Sequence, residues 1–529
     1  MRTMKSRRNL KGAIVTTSVA LLWTLAQSAQ AGSFELNEQS VSGLGVAYAG
    51  GAAQASDVST IFFNPAGIAL LNQGEFQLGG HFLIPQANFA NEGSRYNLPN
   101  TPFNNLPLSG GNGGDGGVNH FLPNIYLSQP IFRSAQYGDL TVGIGLSVPF
   151  GLETDYSPGW VGRYIALRTK LTTFDIQPTI AYRVFDRLSF GGGVDIQYAS
   201  ARLSQAIDFG LAGAQALGQF EQALPALLAA RGVPAAVIPA VVNATRQAYN
   251  NAGFVPGGRD GVSEVNGDNF QAGFTLGAIF EYWKGDEREF FQDGRAGFSY
   301  RAGITHTIHG PASFRDVPIL TAPGAPVQFP QPNIFKTIFP DQSADAQLNL
   351  PEIYHFSAYQ RFARQFALMG DIAWTRWSRL QSVPIVFENP NTPPNVLNLQ
   401  YRDALRYAAG FEWYATKDLT LRLGFAYDET PIQSADTRTP RIPDSNRYFI
   451  TTGLRWSVTR FCDLDVGYGH LFFLDPIVNV TDSQGHNLRG RFDASVDIVS
   501  ASVTFRWGGP QEVPVAPQPQ GKEVVSYRK

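Results

Sequence analysis

The sequence predicts an all-β fold, a transmembrane antiparallel β-barrel of about 14 strands. Three observations carry that prediction. They are an export signal at the N-terminus, long runs in which apolar and polar residues alternate strictly, and a composition poor in charge that still lacks spanning helices.

The first residues set the compartment. Arg2, Lys5, Arg7, Arg8 and Lys11 form a basic stretch, Ala13 to Leu25 is apolar, and Ala29-Gln30-Ala31 has the small-x-small form of a cleavage site. Residues 1–31 read as a secretory signal peptide, with Gly32 as the mature N-terminus. A transmembrane anchor is the competing reading. The apolar stretch is short for it, and a small-residue site follows.

Composition then excludes several classes. Charged residues are 16% of the chain, against about 25% in soluble domains, while aromatics reach 12% and glycines number 54. Mean hydropathy is only -0.13, and no later run approaches the ~18 apolar residues that a spanning helix needs. Barrel strands reconcile these facts, because they show apolar residues on one face only. A net charge of -2 gives no case for a nucleic-acid partner. The single Cys462 excludes an internal disulfide framework and reads as a buried or lipid-facing thiol. No linker divides the body of the chain; the one composition shift begins at Gly508, where a Pro/Gln/Val-rich tail (508–529) starts.

Period two dominates the body. Leu140, Val142, Ile144, Leu146 and Val148 alternate with small or polar residues. Leu188 to Tyr198, Leu419 to Tyr427 and Val499 to Trp507 repeat the pattern. Such alternation puts one set on each face of a sheet. A soluble sandwich also alternates, but its strands average five or six residues, whereas many runs here span ten or more. The expected strands are 75–91, 118–130, 138–152, 168–185, 187–205, 267–283, 295–314, 347–362, 365–381, 398–415, 418–429, 446–459, 462–475 and 490–507. Connections between them alternate between long and short, as external loops and periplasmic turns do, and an even count leaves both ends in the periplasm. In hydrocarbon every N–H and C=O must be paired within the protein, so the sheet must close. A barrel this wide has a lumen that side chains alone do not fill; it is occupied or it is a pore. Residues 206–266 form the longest external insertion, rich in Ala, Leu and Gln, and read as short helices that either cap the mouth or offer a ligand an apolar surface.

Several stretches go further. Gly32-Ser-Phe-Glu-Leu-Asn-Glu-Gln-Ser-Val-Ser-Gly-Leu-Gly45, Ala47-Tyr-Ala-Gly50 and Asn64-Pro65-Ala66 resemble the mature N-terminus of the long-chain fatty acid outer-membrane transporters, the FadL-like family. Leu348-Asn-Leu-Pro-Glu352, Trp374-Thr-Arg-Trp-Ser378, Gly424-Phe-Ala-Tyr-Asp-Glu-Thr-Pro431 and Arg441-Ile-Pro-Asp-Ser-Asn-Arg447 resemble further landmarks in the same order. The resemblance implies a fourteen-stranded barrel, 75–507, with residues 32–74 folded inside as an N-terminal plug. It also implies passive uptake of hydrophobic compounds, fatty acids in most members and monoaromatic hydrocarbons such as toluene in one branch. In that family a ligand passes from an external groove to a lumen pocket and leaves sideways through a gap at a kinked third strand, near the plug's Asn-Pro-Ala. By resemblance, then, Asn64, Pro65, Ala66 and Phe34 are the expected gate residues.

The candidate third strand carries Gly143, Gly145, Pro149 and Gly151, residues that weaken or bend a ladder. These are the expected kink. Parity turns Asp175, Arg183, Asp195, Glu281, Arg301, Asp371, Arg406, Glu412, Arg422, Asp428, Arg447 and Arg455 inward. Such charges either pair across the lumen to hold the plug or, as arginines, meet a carboxylate in bidentate fashion. Arg301, Arg406 and Arg447 are the ligand-binding candidates. Glu352 has the wrong parity for the lumen unless Pro351 marks a bulge. Expected partners are a hydrophobic small molecule and outer-membrane lipid, with the chain a monomer. No cofactor, metal or catalytic set is expected. The seven histidines sit in no recognisable motif, which argues against an outer-membrane hydrolase. An adhesin presenting its loops is the remaining alternative.

Overall fold

A computed structural model describes residues 33–134, 136–286 and 288–508. The signal-peptide reading of 1–31, the mature terminus at Gly32 and the tail beyond Gly508 lie outside these residues.

Fourteen antiparallel spans build the wall. They are β1 (Gly74–Asn91), β2 (His120–Ser134), β3 (Gly138–Ser147, resuming as Gly151–Asp155), β4 (Arg168–Val184), β5 (Leu188–Asp208), β6 (Asp260–Lys284) and β7 (Phe291–Arg301, resuming as Thr305–Arg315). Then follow β8 (Gln342–Asn349, resuming as Ile353–Phe362), β9 (Phe366–Thr375), β10 (Ala404–Tyr414), β11 (Leu419–Asp428), β12 (Arg447–Thr459), β13 (Cys462–Phe473) and β14 (His486–Trp507). Each pairs with its neighbours in sequence, and β1 closes on β14 from Gly74↔Trp507 to Asn91↔Gly490. Closure leaves no edge, as hydrocarbon demands.

The alternation does what it predicts. On β14 Val499 and Phe505 are 49% and 46% exposed, while Ser500 and Thr504 are buried. Large apolar side chains face outward and polar ones inward, the inverse of a soluble barrel and the arrangement lipid requires. Periplasmic turns are short. At one of them Phe185 and Asp186 both take positive φ, 51° and 57°, the two-residue geometry that matches strand twist.

Several strands differ from expectation: β9 stops at Thr375 instead of 381, and β10 starts at Ala404 instead of 398. β5 and β6 stay paired out to Asp208↔Asp260, so they extend past the membrane and shorten the expected 206–266 insertion. Within it stand two helices, Phe209–Ala230 and Ile238–Asn251. β7 and β8 are each interrupted, at residues 302–304 and 350–352, the second at Pro351. There Glu352 leaves the lumen question behind: it bonds Arg376 and Arg379, both at 2.8 Å.

Residues 33–71 form no part of the wall. They contain two single-turn helices, Val41–Leu44 and Thr60–Phe63, and a 3-10 helix, Pro65–Leu70. Leu36, Leu44, Val58, Ile61 and Ile68 are fully buried in one cluster with Leu122, Tyr126, Phe449, Val496 and Ile498 of the wall. The segment bonds inward groups of strands right round the barrel: Tyr126 of β2, Ser357 of β8, Arg406 of β10 and Arg455 of β12. Glycines on the inner wall make room for its backbone. A Cβ on Gly277 would overlap the Asn64 amide oxygen, and one on Gly297 would overlap the Ala52 carbonyl.

Candidate functional site

The wall is irregular at β3, and the cause is local. Ser147 pairs with Asp175 and Gly151 with Thr172, so three residues of β3 face two of β4. That is a bulge, one residue too many for the ladder. Pro149 sits at its centre. It has no N–H to donate, and it restricts the conformation of Val148 before it.

The same place opens the wall toward β2. The β2–β3 ladder ends at Ile125↔Leu146. β2 itself continues, paired to β1, as far as His120. The next backbone pairing between the two sides is the bridge Gly117↔Thr154, and His120 Nε2 of β2 lies 3.8 Å from Glu153 Oε2 of β3.

The backbone groups freed by the bulge are not left bare. Val148 N–H donates to Gln39 Oε1 at 3.0 Å, and Gln39 Nε2 donates to Val148 O at 2.7 Å. Leu36 N–H reaches Pro149 O at 2.9 Å, and Gly151 N–H reaches Phe34 O at 2.9 Å. Tyr126 of β2 donates to Gln39 O at 2.9 Å. Phe34 through Gln39 thus act as a surrogate strand for this part of the wall. Leu36 packs into the cluster that holds Leu122 and Val148 from the two flanking strands.

Among the expected residues, Pro149 and Gly151 lie in the interruption. Gly143 and Gly145 do not: both sit in regular ladder, opposite Ser128 and Tyr126. A Cβ on either would crowd Ile61, so their smallness serves close packing rather than a kink. Phe34 is buried, edge-on to Trp377 at 4.8 Å and to Phe150 at 6.2 Å. Asn64 caps the 3-10 helix by accepting from Ala66 N–H at 3.0 Å, and Pro65 takes the helix's first position. Asn64 Nδ2 donates to Ala52 O, Ala278 O and Phe298 O at 2.6, 3.1 and 3.2 Å. Asn64-Pro65-Ala66 therefore docks on β6 and β7, with Gly191 of β5 beside Ala66. None of the turn's hydrogen bonds among the described residues reaches Val148–Phe150, so the residues against the interruption are 34–39. Gln39, Leu36 and Tyr126 were not singled out from sequence.

The three candidate arginines are already engaged. Arg301 holds Asp175 at 2.9 Å, Asp195 at 3.4 Å and Phe62 O at 3.1 Å. Arg406 holds Asp428 at 2.8 Å and Ala47 O at 2.6 Å. Arg447 holds Asp428 at 3.1 Å and Asp444 at 2.9 Å. Two of the three reach a carbonyl of the lumen segment, so they tie it to the wall instead of presenting a free guanidinium.

Three carboxyls of the segment carry shifted acidities. Burial raises Glu35 above the usual range. Burial pushes Glu38 up to about 7, and its Oε2 has no hydrogen-bond partner among the described residues. Burial also works against ionised Asp57, but the Arg455 guanidinium and the hydrogen bonds of Ser42 and Ser59 outweigh it and hold Asp57 below the usual range.

A closed, lipid-facing barrel of fourteen strands, with its lumen occupied, defines the class: an outer-membrane β-barrel protein. The chain belongs to the family described as outer membrane protein transport protein (OMPP1/FadL/TodX), whose model matches residues 22–507. It is 28% identical to a long-chain fatty acid transport protein of Escherichia coli O6:H1, over 86% of this chain and 90% of that one. Outer membrane protein P1 of Haemophilus influenzae is 26% identical, over 84% and 87%. The solved structure of a Pseudomonas aeruginosa FadL homologue superposes with a TM-score of 0.69 at 25% identity, covering 90% of this chain and 99% of that one. The Pseudomonas putida toluene transporter TodX shares the fold at 15% identity and a TM-score of 0.56, over 85% and 94%.

Proposed function

We propose that this chain carries hydrophobic compounds, long-chain fatty acids foremost, inward across the outer membrane as a monomer, and releases them sideways into the lipid between β2 and β3. Residues 33–71 act as the plug, and Phe34–Gln39 are its gate. One observation carries this reading: Val148 N–H, Val148 O, Pro149 O and Gly151 N–H at the β3 bulge are satisfied by the plug, while Phe150 alone of the three bulge residues keeps its bonds to the wall, at Thr173 of β4.

The physics favours a side exit. A greasy ligand gains nothing from a water-filled pore, since each exposed CH₂ costs about 0.8 kcal/mol. A path from an apolar lumen straight into lipid keeps that surface covered. At rest the plug seals the gap, because Val148 and Gly151 would otherwise expose bare N–H groups to hydrocarbon. The gate moves only when something offsets those lost bonds, and an apolar ligand displacing Leu36 from its cluster is suited to do so. Monoaromatic hydrocarbons remain the second substrate class of this fold.

Cells lacking their own fatty acid transporter, given this chain, should gain saturable uptake of radiolabelled oleate. Asn64→Ala and a Pro65-Ala66 deletion, which unseat the plug from β6 and β7, should diminish it. No gain for oleate or for toluene would overturn the proposal.

A further inference from the structure

Where β8 and β9 leave the membrane on the external side, two arginines share one carboxylate. Arg376 Nη1 and Arg379 Nη1 each lie 2.8 Å from a different oxygen of Glu352. Among the described residues neither arginine pairs with a second carboxylate, so the trio keeps one positive charge in excess. The two side chains remain 41% and 31% exposed, which leaves guanidinium surface open to a partner.

The trio stands on the outside of the wall. Glu352 and Tyr354 share a face of β8, where the Tyr354 hydroxyl donates to Glu352 at 3.2 Å. Arg376 continues the outward face of β9 two positions beyond Trp374. Tyr354 stacks on Trp374 at 5.1 Å and meets Tyr300 of β7 at 4.9 Å. The next row toward the periplasm is apolar: Phe298 and Phe356 lie 5.0 Å apart and both face lipid. From that row outward the surface thus runs from apolar to aromatic to cationic, and an aromatic belt marks the boundary between lipid and water. Height agrees. Arg376 lies ten positions beyond Phe366, which opens β9 at its short periplasmic turn. At about 3.4 Å per residue and a tilt of about 40°, that is roughly 26 Å along the membrane normal, against an apolar band about 25 Å tall. The charge is local to this side. Ten positions from Trp507, at the same height on β14, the outward groups are Asp497 with His470 and Tyr468 at 2.7 and 2.6 Å, a patch that meets an anion with a carboxylate.

We propose that Arg376 and Arg379 hold a phosphate of lipid A in the outer leaflet, with its acyl chains against the aromatic and apolar rows below. This goes beyond uptake, because the site faces the surrounding membrane and no transported ligand passes through it. Paired guanidiniums offer phosphate the planar, charge-assisted donors that it accepts in bidentate fashion. Its negative charge also meets the trio's excess.

Native mass spectrometry of the purified full-length protein in detergent tests this, with added lipid A carrying both phosphates and the same lipid with its phosphates removed. The phosphorylated form should bind at least tenfold more tightly. The double variant R376Q/R379Q should abolish that preference, and R376K/R379K should keep part of it. E352Q keeps both arginines and removes the competing carboxylate; it should strengthen phosphorylated lipid A at least threefold, a gain that no fold defect mimics. Equal binding of the two lipids by the parent overturns the site, as does a preference that survives in the folded double glutamine variant, or an E352Q protein that gains nothing. Inorganic phosphate or oleate that displaces lipid A at matching concentration would make this a site for free anions and overturn the lipid assignment.

Discussion

Gln39→Met removes the amide that closes the β3 bulge while keeping the side chain's length. Three hydrogen bonds are lost, a long one to Leu36 O at 3.4 Å and the two that leave Val148 N–H and Val148 O without those partners. A buried backbone group left unpaired costs about 1–3 kcal/mol. Two such groups give roughly 2–6 kcal/mol, and partial rescue by water entering from the lumen brings the expectation to about 2–4 kcal/mol. The bonds from Leu36 and Gly151 remain, so the barrel should fold. Its gate should open more often: about 2 kcal/mol corresponds to ~30-fold in an opening equilibrium. Hydrogen exchange followed by mass spectrometry, on peptides covering 146–153, reads this directly. Exchange there should quicken at least ~30-fold, with the β13–β14 ladder unchanged. Unaltered protection at Val148 and Gly151 would refute the claim that the plug satisfies this stretch of wall.

Other outcomes follow from the same contacts. Gly277→Ala drives a Cβ into the Asn64 amide and should destabilise the protein by about 1–3 kcal/mol through overpacking, seen as a lower unfolding midpoint in detergent. A neutral effect would mean the Asn64 turn is not tightly seated. Arg301→Ala leaves Asp175 and Asp195 without their shared partner, and should cost about 3–5 kcal/mol of stability while leaving oleate affinity per folded molecule intact. Reduced affinity in folded protein would return Arg301 to the ligand site. Glu38 has a raised pKa in the fold, so the folded state holds its proton to higher pH than the unfolded state. Its stabilising contribution is full below the ordinary value of 4.5 and is lost as pH rises through about 7. Denaturant midpoints taken from pH 4.5 to 8 should therefore fall less steeply in Glu38→Gln than in the parent, and identical slopes would contradict the assignment.

The barrel was legible in the sequence because its physics is periodic. Lipid on one side and a lumen on the other force alternation, and loop lengths fix direction, so Val499 to Trp507 could be placed on β14 from letters alone. The ends of β5 and β6 were not legible. Beyond the membrane nothing enforces alternation, and the strands persist only because they stay paired with each other. Glycine gave a mixed signal. Gly143, Gly145, Gly151 and Pro149 look alike as ladder breakers, but two of the glycines are there to admit Ile61, a residue 82 positions before Gly143. Parity identified which arginines face inward and was silent on what they meet. Gln39 was visible only within the N-terminal landmark, with no sign of its role, since the backbone it serves lies 109 residues away.

The most direct test of the central claim is to mend the wall. Deleting Pro149 removes the one residue by which β3 exceeds β4, so the pairings Ser147↔Asp175 and Gly151↔Thr172 fall into one continuous register. Oleate uptake should then drop to the background of cells without the protein, while the barrel remains folded in the outer membrane. Undiminished uptake through a folded barrel whose third strand is continuous would contradict lateral release between β2 and β3.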